Sequence, residues 1–257
     1  MNSQSLSQKL NNGHRVITAW CSLQAPIVAE LMARGGYEAV TVDMQHGAAD
    51  FSAACETFSL LKLAGAHRVA RIPVGEFSTA SRLLDAGAEL VIAPMINSKS
   101  DAEEFADAMK YPPIGKRSWG PMRAATLDGV SMVDYATTGN ERTLALAMIE
   151  TREAFDCLDD ILAVPGIDGV FVGPSDLSLT LSNGANLDPL GQETMQIASQ
   201  VAARTKAAGK IAGAFCLTQE HHDRFLEDGF SFLAYGVDMA LILDAVGAQL
   251  ASVSQKS

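Results

Sequence analysis

Apolar residues along the chain fall into short β-branched runs that alternate with stretches of helical period. The runs start at Val16 (VITAWCSL), Glu38 (EAVTVDM), His67 (HRVARIP) and Leu90 (LVIAPM), then at Leu144 (LALAMIE), Gly169 (GVFVGPSD), Lys210 (KIAGAFCL) and Phe232 (FLAYGVD). Between them the spacing predicts helices over Pro26–Arg34, Ala53–Leu63, Thr79–Ala86, Asp101–Met109 and Ala154–Ala163. Gln192–Ala208, Gln219–Glu227 and Met239–Ala251 complete the set. Gly35, Gly65, Gly87, Gly209 and Gly229 each follow a helical run, where a C-terminal cap is wanted.

Strands that are apolar throughout, rather than on alternate residues, imply a parallel sheet covered on both faces. Eight strand-plus-helix units of about 32 residues (257/8) use up the chain and close most naturally into a (β/α)8 TIM barrel. One domain, residues 1–257, is therefore expected. A doubly wound open sheet would carry a Gly-rich turn after its first strand, where this chain has SLQAP. The least regular stretch, Tyr111–Asp128 (YPPIGKRSWGPMRAATLD), is too long for an idle connection and reads as an active-site loop. A shorter irregular stretch, SNGANLDPLG, follows the sixth strand.

Composition narrows the partners. Hydrophobic residues make up 48% and charged residues 19%, enough for a large core and too few charges for disorder. Thirty acidic against 19 basic side chains leave −11, which argues against nucleic acid or an anionic membrane as partner. No apolar run approaches the ~20 residues that span a bilayer, and the polar start MNSQSLSQKLNNG does not resemble a signal peptide. The four cysteines (Cys21, Cys55, Cys157, Cys216) have no CxxC spacing and read as reduced, mostly buried thiols. A soluble cytoplasmic protein is expected.

In a barrel the chemistry sits at the C-terminal ends of the strands. Those ends supply Asp43, Gln45 and His46, then Arg71, Glu150 and Asp176. Asp176 stands where a helix N-cap would also put an acid. Glu150 follows the apolar run ALAMI, where a carboxylate needs a cation to offset its desolvation. Glu150 and Asp176 come from adjacent strands, and two carboxylates without Cys or His suit a hard divalent ion, Mg²⁺ or Mn²⁺. Gly173, Pro174 and Ser175 begin a helix whose N–H groups can bind an anionic oxygen, and Arg71 adds a fixed positive charge. His14 and His67 precede strands and face the opposite end, while His221 and His222 read as part of a solvated helix face. Lys62 lies in a helix and Lys210 opens its strand, so no strand-end lysine offers a Schiff base.

DMQHG at Asp43–Gly47, ARIP at Ala70–Pro73, RLLDAGAELVIAPM at Arg82–Met95, YPPIGKRS at Tyr111–Ser118, MIET at Met148–Thr151 and ILAVPGIDGVFVGPSDLS at Ile161–Ser178 together resemble the HpcH/HpaI-type aldolases. The resemblance runs in order from about Ile17 to Val237. It implies a (β/α)8 barrel of the phosphoenolpyruvate/pyruvate type, assembled as a homohexamer that often exchanges the last helix between subunits. The implied activity is reversible, divalent-metal-dependent cleavage of a 4-hydroxy-2-oxo acid to an aldehyde and pyruvate, or a relative such as hydroxypyruvate, through an enolate. Mg²⁺, Mn²⁺ or Co²⁺ would serve, with no organic cofactor. Position by position, Glu150 and Asp176 match the metal ligands, Arg71 the arginine on the keto oxygen and His46 the acid/base histidine. Asp85, by position alone a solvated helix residue, matches a carboxylate paired with that histidine, and the amide of Ser175 matches the holder of the 2-oxo acid carboxylate.

The chain departs from the family at Gln45, where D-G-E-H is commoner than Asp43-Met44-Gln45-His46, and at Ser118–Ala124 (SWGPMRA). Trp119 and Arg123 there are expected to shape the aldehyde pocket, with Gln45, Gly173 and Arg123 binding substrate. Two other readings stand beside this one. An acyl-CoA lyase of the citramalyl/malyl type would carry a longer basic patch, and a non-catalytic oligomeric barrel would not need Glu150, Asp176, Arg71 and His46 together.

Overall fold

Eight parallel strands pair in chain order and the last returns to the first, closing a barrel. They are β1 (Val16–Cys21), β2 (Ala39–Asp43), β3 (His67–Arg71), β4 (Leu90–Ala93), β5 (Leu144–Ile149), β6 (Gly169–Val172), β7 (Ile211–Cys216) and β8 (Phe232–Val237). The helices are α1 (Leu6–Asn11), α2 (Pro26–Arg34), α3 (Phe51–Ala64), α4 (Phe77–Ala86), α5 (Lys99–Met109), α6 (Met122–Asp128) and α7 (Met132–Arg142). After β5 come α8 (Arg152–Asp156), α9 (Leu158–Leu162), α10 (Pro174–Leu181), α11 (Gln192–Ala207), α12 (Gln219–Asp228) and α13 (Asp238–Ser254). This computed structural model describes residues 4–254; the remainder of the expected 1–257 span lies outside the described residues. No helix among the described residues is long and apolar enough to cross a membrane.

Each strand is buried on both faces, and successive side chains separate into two cores. Leu90 and Ile92 of β4, Leu144, Leu146 and Met148 of β5 and Phe171 of β6 fill the barrel interior. Val91, Ala93, Ala145, Ala147, Ile149, Val170 and Val172 pack outward against the helices. The interior is closed at the N-terminal end by α1, whose Leu6 and Leu10 join that cluster. Ser5 and Gln8 form a reciprocal capping box at the start of α1. The sequence pattern hid this helix because it offers only two apolar residues.

Two expectations change. The segment from Tyr111 is not a loop at the catalytic end: α5 carries the chain back to the N-terminal end of the barrel before the segment begins. There Lys110 Nζ donates to the carbonyls of Asn140 and Thr143 and pairs with Asp168 at 2.7 Å, beside the starts of β5 and β6. Part of the segment is helical as α6, and α7 follows before β5. His221, expected on a solvated face, is fully buried against Phe225 with ring centroids 4.3 Å apart. Burial holds its imidazole down to about 4, so the ring is neutral at ordinary pH.

The N-terminal end also buries Glu89, whose carboxylate bonds His67 Nδ1 at 3.0 Å and accepts the Arg68 N–H at 3.1 Å. Burial pushes this carboxyl up, but the His67 hydrogen bond and the Arg68 charge outweigh it and hold it at about 2. The stabilisation is therefore complete above the ordinary carboxylate value of 4.5 and is lost as pH falls from there toward 2. Glu89→Gln is expected to cost about 3 kcal/mol in urea unfolding at pH 7, with the gap to wild type narrowing between pH 5 and 3. An unchanged urea midpoint at pH 7 would show that the cluster adds no net stability.

Candidate active site

The inward-facing positions of the strands, continued to their C-terminal ends, deliver the site. Val69 points inward, so Arg71 does; Met148 points inward, so Glu150 does; Phe171 points inward, and Gly173 takes the next place. Asp43 and Arg71 are direct partners in the β2–β3 register. They form a two-pronged ion pair, Arg71 Nε to Asp43 Oδ1 at 2.9 Å and Arg71 Nη2 to Oδ2 at 2.7 Å. Trp20 Nε1 donates to Oδ2 at 3.2 Å, and the Arg71 guanidinium lies 4.9 Å from the centre of the Trp20 ring. Burial alone would push the Asp43 carboxyl up, but Arg71 and the N–H groups of Gln45 and Trp20 hold it below the usual carboxylate range. Asp43 thus stays ionised and fixes the plane of Arg71.

Glu150 is in the opposite condition. It is 2% exposed, and among the described residues the one hydrogen bond to its carboxylate comes from the Met95 N–H to Oε1 at 2.8 Å. Met95 holds that N–H in place from a left-handed conformation (φ 55°) unusual for its side chain, a local strain at the site. Burial first, and the Asp176 charge second, push the Glu150 carboxyl up to about 7 against the pull of Met95 N–H and Arg71. A Cβ at Gly173 would stand 2.7 Å from Glu150 Oε2, so a side chain at that position would displace the Glu150 carboxylate.

Asp176 is not a helix cap. The cap of α10 is Gly173, with Pro174 as the first helical residue and Asp176 in the first turn. No hydrogen bond or ion pair among the described residues engages the Asp176 carboxylate. Two neighbouring carboxylates with one donor between them are costly to ionise together, a cost that protonation of one or a bound cation relieves. Among the described residues no group of three or more His, Cys, Asp or Glu is gathered, so a metal held here keeps most of its coordination positions open.

Trp20, Ser22, His46, Arg71, Met148, Phe171, Gly173, Pro174, Ser175, Asp176, Phe215 and Val237 line a cavity of about 260 Å³ at this end of the barrel. A larger groove of about 1120 Å³ between α11 and α12 is lined by Gln196, Ser199, Glu220 and Arg224 and brings no such set together. Ser175 sits in the first turn of α10, whose N–H groups have no acceptor within the helix. His46 is exposed on the turn after β2, its N–H 3.4 Å from Asp43 Oδ1. Gln45 shares that turn through its own N–H to Asp43 Oδ1 at 3.1 Å, but its side chain does not line the cavity and its Oε1 is buried without a partner.

Two expected residues lie elsewhere within the chain. Asp85, near the end of α4, pairs with Arg117 at 2.7 Å rather than with His46. Arg123 of α6 donates to Ser59 of α3 at 2.7 Å, on the outside of the barrel. Both belong to segments that have already returned from the catalytic end. Trp20, Ser22 and Phe215 were missed; Trp20 was legible as an aromatic at the end of the inward series of β1.

The chain matches the family described as HpcH/HpaI aldolase/citrate lyase over residues 17–245. It is 39% identical over 232 residues to a hydroxypyruvate/pyruvate aldolase of Rhizorhabdus wittichii, 90% of this chain and 91% of that one. A 2-keto-3-deoxy-L-rhamnonate aldolase of Escherichia coli is 32% identical over 244 residues, 95% of this chain and 91% of its own. The crystal structure of an HpcH/HpaI aldolase from Desulfitobacterium hafniense is similar with a TM-score of 0.89 at 26% identity, covering 98% of this chain and 97% of that one.

Moving the Glu150 carboxyl from 4.5 to about 7 corresponds to on the order of 3 kcal/mol against its ionised form. Because the folded value is the higher one, the ion-free protein loses this stability as pH rises through about 7 and keeps it below 4.5. Without divalent ions, Glu150→Gln should melt several degrees above wild type at pH 8 and alongside it at pH 5. Mg²⁺ or Mn²⁺ should raise the melting temperature of wild type at pH 8 and leave the variant unmoved. A cation effect that survives in the variant would exclude Glu150 as a ligand.

Proposed function

From the membership of this chain in the HpcH/HpaI aldolase/citrate lyase family, and its standing as a carbon–carbon lyase of the aldolase type, we propose that it cleaves a 4-hydroxy-2-oxo acid to an aldehyde and pyruvate or hydroxypyruvate. The observation that carries this reading is a pair of carboxylates that share a single donor: Glu150, buried beside Gly173 with the Met95 N–H on one oxygen, and Asp176, which lines the cavity with Arg71 and the first turn of α10. Such a pair holds Mg²⁺ or Mn²⁺. When bound, the cation draws electron density from the keto oxygen and so lowers the cost of an enolate.

The protein's own groups do the rest. The α10 N-terminus at Ser175 receives the substrate carboxylate. Arg71, with Nε and one Nη2 hydrogen committed to Asp43, turns its remaining N–H groups to the keto oxygen and stabilises the charge that grows there. In cleavage His46 takes the proton of the C4 hydroxyl, directly or through a water. The C3–C4 bond breaks, its electron pair becomes the C2–C3 double bond of the enolate, and the aldehyde leaves. Protonation at C3 then gives the 2-oxo acid. Trp20, Phe171 and Phe215 keep the cavity wall apolar, which strengthens each of these charge interactions. No lysine lines the cavity, in keeping with an enolate rather than a Schiff base.

An Asp85 partner for His46, as the family resemblance implies, has to come from a second copy, because within the chain Asp85 belongs to Arg117. An oligomer also suits α13, where Met239, Leu241, Ile242, Leu243, Val246 and Val253 are all exposed. The proposed assembly is the homohexamer.

Deuterium exchange of the pyruvate methyl group, followed by proton NMR, tests the enolate directly. Wild type with Mg²⁺ or Mn²⁺ should exchange, while Glu150→Gln or EDTA-treated protein should exchange at least about 10²-fold more slowly. Exchange at the wild-type rate in either would end the metal–enolate reading. Mixing inactive His46→Ala and Asp85→Ala chains under conditions of subunit exchange should restore part of the cleavage activity. Mixtures as inactive as their components would confine the two residues to separate roles.

A further inference from the structure

His46 sits on a turn that begins with the Met44 N–H donating to the Arg71 carbonyl at 2.9 Å and is held at two further places. Asp43 Oδ1 accepts the N–H groups of Gln45 and His46 at its start, and the Ser22 carbonyl accepts the Ala48 N–H at 2.8 Å at its end. The second contact is close-packed: a Cβ on Gly47 would lie 2.9 Å from the Ser22 carbonyl oxygen and 3.0 Å from the Ser22 Cα. Ser22 therefore acts as the seat of the His46 turn, and Ser22 itself lines the cavity.

What holds Ser22 is a carboxylate from the far end of the chain. Asp238, the first residue of α13, is 1% exposed. Its Oδ2 accepts the N–H groups of Ser22 at 3.0 Å and Leu23 at 2.9 Å, and its Oδ1 accepts the Met239 N–H at 2.8 Å. These bonds run only to backbone N–H groups. A buried carboxylate costs desolvation that a neutral residue would avoid. In return it gathers three N–H groups and ties the turn after β1 to the start of α13, across 216 residues of chain.

We propose that Asp238 is a positioning residue for the proton-transfer step. It seats the turn after β1, which seats the turn after β2, which places the His46 imidazole over the cavity. The kinetic consequence rests on the aldolase reading, whereas the placement of His46 does not. Misplacement of a proton-transfer group by about 1 Å costs on the order of 10²-fold in turnover while leaving substrate binding alone. Glu150 and Asp176 sit on other elements, after β5 and in α10, and stay in place.

Two variants and two measurements test this. Asp238→Asn keeps size and one acceptor oxygen but sets an NH₂ against the Met239 N–H; Asp238→Ala removes the clamp. In both, nitrogen-15 NMR of the imidazoles should show the His46 signals moved while those of His14 and His67, at the other end of the barrel, keep their wild-type positions. Cleavage of a 4-hydroxy-2-oxo acid with Mn²⁺ should show kcat lower by about tenfold or more, with KM within about twofold of wild type. Folded variants with wild-type His46 signals overturn the proposal, as does an unchanged kcat in an active enzyme. If wild type turns over none of these substrates but the His46 signals move as expected, the aldolase reading fails and the positioning role stands.

Discussion

Closure of the sheet is the constraint from which the site follows. Once eight parallel strands meet edge to edge, every second side chain on every strand has to point at a common axis. Along most of the barrel those places are filled by Val69, Leu90, Ile92, Leu146, Phe171 and Phe232, which make the interior a packed core. At the C-terminal rim the same periodicity continues into polar residues. Asp43, Arg71 and Glu150 are brought together from three strands without any special backbone device. The helix start at α10 and the Trp20 ring close the ring of contacts around them.

The rim holds charge of both signs in different conditions. Asp43 is saturated: its two oxygens accept from Arg71, Trp20 and the turn that follows β2. That saturation turns Arg71 into an oriented dipole source rather than a mobile cation. Glu150 and Asp176 are unsaturated: burial first and the neighbouring Asp176 charge second hold the Glu150 carboxyl well above the usual carboxylate range. In a protein of net charge −11, Arg71 and the N–H groups at the start of α10 are the groups at this rim that favour an anion against the global field.

All eight strands and the rim residues Asp43, His46, Arg71, Glu150 and Asp176 were legible in the sequence, because buried parallel strands announce themselves as continuous apolar runs. What stayed hidden depended on direction and distance along the third dimension. The segment from Tyr111 looks like an active-site loop by length and composition, yet whether a connection lies at the top or bottom of a barrel depends on counting α5 as a complete return. Asp85, placed by the resemblance, and Arg123, placed by that segment, both lie within the chain on stretches that have returned from the C-terminal end of the barrel. His221 stands among charged residues in HHDRFLED, and only its spacing of four from Phe225 hinted that it faces inward. Trp20 and Phe215 gave no signal of the site on their own, because an aromatic at a strand end looks the same whether it meets another side chain or a cavity.

The acidic surplus has a second meaning once the hydrogen bonds of the rim are placed side by side. The turn after β1 is held by Asp238, the turn after β2 by Asp43, and the turn after β4, at Met95, by Glu150. Each carboxylate comes from a different element than the turn it holds, apart from Asp43, and each binds backbone N–H, Asp43 in addition to the side chains of Arg71 and Trp20. A loop held in this way has its main chain fixed while its side chains remain free to vary. Carboxylate acceptors make stronger bonds to N–H groups than neutral acceptors do. Glu150 spends one oxygen on Met95 and leaves the other without a donor among the described residues. The turn after β4 and this carboxylate are thereby tied, so the turn cannot shift without moving the proposed metal site.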